Sequence, residues 1–225
     1  MTDVPLVATY RAVFRSRRTE YEGVETYRFI PDEPVPFAAG AYVHLRLPGV
    51  PDGENPVREF SFASAPHERE VRFAIDTRSG SPYQRALQAL TEGDVVELFK
   101  IKTHLTWPPP DREVVMVAGG VGVTPFYSQL LDRVARALPI SITLVHAAHG
   151  KHLYASELRS LADEYVPTDR NGLDAALASA IEKHPLAAYS IAGSGSFVAG
   201  AAGALRARSV ARIEADNFNG LADLL

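Results

Sequence analysis

The stretch from Val114 to Pro125, V-V-M-V-A-G-G-V-G-V-T-P, restricts the folds open to this chain more than any other. The run from Val114 to Ala118 is apolar without alternation, as in a strand covered on both faces of a parallel sheet. Gly119, Gly120 and Gly122 then stop it, permitting backbone angles and close approaches that a β-carbon would block. Pro125 suits a first helical turn, and Tyr127, Leu130, Leu131, Val134 and Leu138 recur at helical spacing, which predicts an amphipathic helix over 125–138. A strand, a glycine turn and a helix start make an anion site, because orphan N–H groups and the helix dipole both favour a phosphate. An ordinary tight strand-to-helix turn has the same local pattern, so this segment alone does not decide for a ligand.

The organisation of the chain changes midway. Residues 1 to about 106 read as short alternating strands, at Tyr10 to Phe14, Glu25 to Ile30, Tyr42 to Leu47, Glu59 to Ala63, Val71 to Ile75 and Val95 to Phe99. One helix, from Pro82 to about Leu90, interrupts them and ends in the T-E-G-D turn at Thr91 to Asp94. Pro108, Pro109 and Pro110 form a stiff spacer of the kind that separates domains. Beyond it, buried strands (Val114 to Ala118, Ile140 to His146, Tyr189 to Ala192) alternate with helical stretches near 125–138, 156–164, 172–183 and 196–207, as in a parallel α/β sheet. At 225 residues and 46% hydrophobic content the chain can bury two modest cores. The expected domains are 1–107 and 111–225.

Charge and composition exclude several function classes. A formal net charge of −4 offers no basic stripe for nucleic acid or an acidic membrane surface. No apolar run is long enough to span a bilayer, and M-T-D-V-P-L-V-A-T-Y lacks the basic start and apolar block of a signal peptide, so a soluble cytoplasmic protein is expected. With no cysteine, thiolate catalysis, disulfides and cysteine-ligated iron–sulfur clusters are absent from this chain. Redox work here needs a borrowed cofactor. The seven histidines show no metal spacing, and His146, His149 and His152 read as loop residues.

Five collinear segments then carry a family resemblance: P-F-A-A-G-A-Y-V-H-L-R-L-P-G, R-E-F-S-F-A-S, R-S-G-S-P-Y-Q-R-A-L-Q-A-L-T-E-G-D, A-G-G-V-G-V-T-P and A-G-S-G-S-F. In this order they resemble the ferredoxin–NADP reductase family, in its two-domain form without a fused iron–sulfur domain. The resemblance implies a six-stranded antiparallel flavin-binding barrel followed by a parallel-sheet, Rossmann-like NAD(P)-binding domain. The implied cofactor is FAD, in preference to FMN, with NAD(P)H as substrate. Arg58 would bind the flavin phosphate, Phe60 would replace the usual Tyr on the ring, Ser61 would lie near flavin N5, and Ser64 would support the strand end. Ile75 and Thr77 would run beside the flavin, Gly80 and Ser81 would close the pyrophosphate site, and Thr124 would reach the flavin from the second domain. Gly119, Gly120, Gly122, Val123 and Gly193 would cradle the nicotinamide nucleotide, while Asp216 and Phe218 would take the places of a C-terminal acid and aromatic near the flavin.

Several departures matter. Ala192, Gly193 and Ser194 stand where the family often has C-G-P, and K-I-K-T-H-L-T-W replaces a G-P-x-G turn. The loop A-A-H-G-K-H-L-Y lacks the Ser and Arg that often grip a 2′-phosphate, leaving Lys151, His149 or Arg170 as substitutes and the choice between NADH and NADPH open. The implied activity is hydride transfer between NAD(P)H and FAD, with electrons passing to or from a separate ferredoxin, flavodoxin or other iron–sulfur protein. Arg15, Arg17 and Arg18 offer a docking surface for an acidic carrier, against the plainer reading of a solvated hairpin. Two other functions share the resemblance, an electron-transfer flavoprotein subunit acting only inside a complex and a free NAD(P)H:flavin reductase.

Overall fold

The computed structural model describes residues 8–108 and 112–218, without the side chains of Asn217 and Phe218. Six strands form the first sheet: β1 (Thr9–Tyr21), β2 (Val24–Pro31), β3 (Tyr42–Arg46), β4 (Val57–Ser61), β5 (Val71–Asp76) and β6 (Val95–Lys102). Their order is β4-β3-β6-β1-β2-β5, and every pairing is antiparallel. This is a half-barrel with one seam. Strands β4 and β5 stand at its two edges with no ladder between them, and just past β4 the Ala63 N–H donates to the Arg72 carbonyl at 2.7 Å. The core inside the curl is aromatic, with Phe14, Tyr27, Phe29, Phe62 and Phe73 all buried.

Five parallel strands make the second sheet: β7 (Val114–Gly119), β8 (Ile142–Ala147), β9 (Glu164–Thr168), β10 (Ala188–Ser194) and β11 (Ile213–Phe218). Their order, β11-β10-β7-β8-β9, reverses direction at β7, so the switch point lies between the C-terminal ends of β7 and β10. In open α/β sheets that crevice is where ligands bind. Helices α1 (Pro82–Gln88), α2 (Thr124–Ala135), α3 (Ala155–Leu161), α4 (Leu173–Lys183) and α5 (Gly195–Ala207) complete the fold. The unalternated runs expected for β7, β8 and β10 are buried on both faces, as helices on either side require.

Helix α2 joins the two halves. Every residue from Thr124 to Leu130 is buried, because one face lies on the parallel sheet and the other on the half-barrel. The Ser128 hydroxyl donates to the Ser64 carbonyl at 2.7 Å and lies 3.4 Å from the Gly40 amide. Tyr154 bonds Thr26 across the same seam at 2.7 Å and stacks on Tyr127 with ring centroids 4.4 Å apart. The largest apolar cluster accordingly mixes Val24, Ala63 and Ala74 with Met116, Phe126 and Leu130.

Several expectations need correction. Helix α2 stops at Ala135 rather than 138, where Ala137 takes a left-handed φ of 49°, and Val134 faces solvent at 57% exposure. Residue 164, expected to end a helix, opens β9. The polar stretch after Phe14 continues β1 to Tyr21 as a ribbon paired with β2. Pro109 and Pro110 of the expected hinge lie outside the described residues. No described helix is long and apolar enough to cross a membrane.

Candidate functional site

The seam between β4 and β5 opens into a cavity of about 400 Å³, within the range of cofactor pockets. Alternation on β4 places Arg58 and Phe60 on its wall, with Ser61 at the strand end, while β5 contributes Ala74, Ile75 and Asp76. From the second sheet come Val121, Thr124 and Asp216, so the cavity lies where the two halves meet.

Its chemistry differs from one end to the other. At one end Arg58 donates through Nη1 to the carbonyls of Val57 (2.7 Å) and Asn55 (3.2 Å), with its guanidinium 5.2 Å from the centre of the Tyr83 ring. A restrained fork of five donors is suited to phosphate oxygens. Beside it Ser81 caps α1, its hydroxyl accepting from the Gln84 amide at 3.3 Å, and Ser79 and Gln84 complete the polar wall. The middle is apolar, where half-buried Phe60 packs 5.9 Å from Tyr83 and 6.2 Å from Phe73.

At the other end two buried polar atoms have no protein partner, Ser61 Oγ and Asp216 Oδ2. Each such atom costs about 1–3 kcal/mol unless something bonds to it. Burial raises the Asp216 carboxyl to about 6, and Glu59 adds to the rise while His104 opposes it. A ligand with an apolar ring system, polar atoms at one end and phosphates at the other meets each of these demands. The residues therefore fit a flavin dinucleotide.

The structure separates the other expected residues into groups. Ser64 lies outside the cavity, fully buried at the junction, where its hydroxyl accepts from the Arg72 amide at 3.2 Å. Thr77 is also off the cavity, donating from its amide to the Gly23 carbonyl at 2.9 Å. Gly80 stands at φ +60° with nothing near its missing β-carbon, its amide 3.0 Å from Gln84 Oε1. Phe218 lies in β11 opposite Ser194, with its side chain outside the described residues.

The glycines after β7 are not equivalent. A β-carbon on Gly122 would stand 2.6 Å from the Ala192 carbonyl oxygen and from Gly193 Cα, so this glycine serves the packing of β7 on β10. One on Gly119 or on Gly193 would strike the Phe197 ring, at 2.6 and 2.8 Å. Gly120, at φ +57°, alone among these four has open space around it. Val123 is buried, and the Thr124 hydroxyl donates to the Val121 carbonyl at 3.0 Å while its residue lines the cavity.

Residues that the sequence did not single out also line the cavity. Tyr42 is in register with Ser61 across the β3–β4 ladder, and His104 stacks on it with ring centroids 5.3 Å apart and Nε2 3.2 Å from its hydroxyl. His104 comes from the T-H-L-T turn that departs from the family pattern. His146 is a buried strand residue rather than the expected loop residue. On the docking surface, Arg15 pairs with Glu92 at 3.0 Å, Arg18 with Glu20 at 2.8 Å, and Arg17 donates to the Gln88 carbonyl at 2.5 Å, the local pairing of a solvated ribbon.

Comparison with known proteins bears on both halves. The oxidoreductase NAD-binding domain family matches residues 116–171, which include the glycine turn. A flavohemoprotein of Pseudomonas aeruginosa is 26% identical over 155 residues, covering 66% of this chain and 38% of its own. The reductase component of phenol 2-monooxygenase from a Pseudomonas species is 34% identical over 131 residues, covering 56% of this chain and 36% of its own. The chain thus spans little more than a third of the length of these relatives. Among solved structures, the FAD/NAD-binding domain of nitric oxide dioxygenase from Vibrio cholerae superposes with a TM-score of 0.77 at 20% identity, over 93% of this chain and 98% of that one. Phthalate dioxygenase reductase superposes with a TM-score of 0.77 at 18% identity, over 96% of this chain and 70% of its own.

Proposed function

Because the chain belongs to the ferredoxin reductase-like family of FAD- and NAD-binding proteins, we propose that it is an NAD(P)H-dependent flavin oxidoreductase that exchanges electrons with a separate redox protein. The observation that carries the reading is the pair of partnerless buried atoms, Ser61 Oγ and Asp216 Oδ2, in one cavity with Arg58 at its far end. FAD, when bound, supplies two-electron exchange with a nicotinamide and one-electron exchange with a carrier. The chain supplies position and electrostatics. Arg58, Ser79 and Ser81 hold the phosphate end; Phe60 and Ile75 cover an apolar ring; Ser61 offers a hydroxyl at the reacting end. Asp216, with its carboxyl near 6, can hold or release a proton there at neutral pH. Thr124 and Val121, arriving from the parallel sheet, bring the glycine turn to the cavity and close it from water.

The carrier is proposed to be a ferredoxin, a flavodoxin or another iron–sulfur protein, in keeping with relatives that are named as reductase components. The test is catalytic reduction of ferricyanide, then of a [2Fe–2S] ferredoxin, by the FAD-loaded protein with NADH and with NADPH. Turnover of ferricyanide with either nucleotide supports the oxidoreductase. No turnover with both nucleotides overturns it in favour of a subunit that works only inside a complex.

A further inference from the structure

His146 is wholly buried at the C-terminal end of β8, in parallel register beside Ala118 of β7. Its Nε2 lies 2.9 Å from the carbonyl oxygen of Gly120, the open glycine of the turn that follows β7. A carbonyl can only accept, so Nε2 carries the proton and donates. The other nitrogen, Nδ1, lies 3.2 Å from the Tyr165 hydroxyl on β9. With the ring proton on Nε2, Nδ1 accepts and Tyr165 donates. Burial holds the imidazole neutral, its pKa lowered to about 4, which keeps this arrangement at physiological pH. His152 meets the ring edge-on at 5.0 Å and is itself 2.9 Å from the Thr168 carbonyl.

The bond matters because of what Gly120 is. Its φ is +57° and nothing within 4 Å restrains the side where a β-carbon would stand, so glycine alone would leave several backbone conformations accessible. In a trans peptide the C=O and N–H point in opposite directions. Drawing the Gly120 carbonyl toward β8 therefore turns the Val121 N–H away from β8, and Val121 lines the cavity. We propose that His146 is a positioning residue: anchored by Tyr165, it selects the one conformation of the glycine turn that receives the nicotinamide nucleotide, without touching the reacting atoms. The proposal rests on reading this turn as the nucleotide's turn, and extends that reading to a Tyr165–His146–Gly120 chain spanning three neighbouring strands.

The test uses the FAD-loaded protein and the nucleotide, NADH or NADPH, that reduces the wild type. His146→Leu keeps apolar bulk and removes the donor. It should raise the Kd of the oxidised nucleotide about tenfold, the equivalent of one hydrogen bond, while the FAD Kd stays within about twofold and the reduction rate at saturating nucleotide within about threefold. His146→Gln, whose amide can donate, should restore most of the nucleotide affinity. Tyr165→Phe should raise the nucleotide Kd by only about threefold, and ¹⁵N NMR of the wild type should show Nε2 protonated and Nδ1 free of hydrogen. Wild-type nucleotide affinity in His146→Leu, or a Gln variant no better than Leu, overturns the proposal. If His146→Leu does not fold, the ring tautomer and Tyr165→Phe decide, an Nδ1-protonated ring or an unchanged Kd counting against it. Wild-type protein that binds neither nucleotide defeats the functional reading itself, an outcome visible before any variant is made.

Discussion

The cavity between β4 and β5 and the turn after β7 both combine small residues with a strand end, yet they are built in opposite ways. In the cavity, polar atoms are buried with nothing in the protein to bond, and Gly80 at its edge has open space around it. In the turn, Gly119 and Gly122 are pressed against Phe197 and the β10 backbone, and the Gly120 carbonyl is already held by His146. One site is poised for a ligand to complete it. The other is completed by the protein and presents a single conformation. A glycine therefore signals ligand contact only where its missing side chain faces open space.

The largest expected effect breaks the turn without any ligand. Gly122→Val drives side-chain atoms into the Ala192 carbonyl and Gly193, and should cost about 3 kcal/mol of stability, the upper part of the overpacking range. Gly80→Ala, with open space and only a left-handed φ to maintain, should cost about 1 kcal/mol. Chemical denaturation of the two variants measures the contrast, and equal losses would erase it.

Next in size is the phosphate end of the cavity. Arg58→Ala removes a charged donor, and FAD should bind more weakly by about 1.5–3 kcal/mol, roughly 10- to 150-fold, in a flavin fluorescence titration. Melting of the flavin-free variant should stay close to wild type, since the bonds lost are two surface contacts to backbone.

A pH series on flavin-free protein sharpens the electrostatic side. Burial raises Asp216 to about 6, above an unfolded value near 4, so between those values the native state holds more protons and stability falls as pH rises. His146 is lowered to about 4 from about 6.5, so it acts with the opposite sign, removing stability as pH falls through that window. The two oppose each other in the wild type. Asp216→Asn should therefore gain stability relative to wild type as pH rises from 4 to 6, by up to about 1.4 kcal/mol per pH unit. A difference that stays constant over that range would mean that the carboxyl does not titrate as its burial demands.

The smallest effect belongs to Ser61. Ser61→Ala removes one neutral hydroxyl, worth about 1 kcal/mol, and should slow flavin reduction by roughly fivefold with little loss of FAD affinity. A variant that loses FAD but is reduced at the wild-type rate makes Ser61 a binding residue only.

The parts of this molecule that were legible in the sequence are those where local pattern and burial agree. The unalternated runs of β7, β8 and β10, the Ser81–Pro82 start of α1, and the R-E-F-S segment all carry their environment in consecutive residues. Strand β9 was illegible because E-Y-V-P-T is half-exposed and contains a proline; it is a strand because the β8 edge pairs with it. The second half of β1 is polar on most positions and is held by pairing with β2. In the site, Arg58, Phe60 and Ser61 follow from their motif. Tyr42 and His104 do not, since they reach the cavity through cross-strand register and a turn, neither of which spacing encodes. Glycine counts in A-G-G-V-G-V-T-P could not separate Gly120 from Gly122, because the contrast lies in Ala192, Gly193 and Phe197, more than seventy residues away.

The most direct measurement is an anaerobic titration of the FAD-reconstituted protein with NADH and, separately, with NADPH, followed by flavin absorbance. A cavity that holds FAD against the nucleotide's turn predicts stoichiometric flavin binding and full bleaching of the flavin band by one equivalent of at least one nucleotide. Flavin that fails to bind, or that binds and stays oxidised with both nucleotides, contradicts the account.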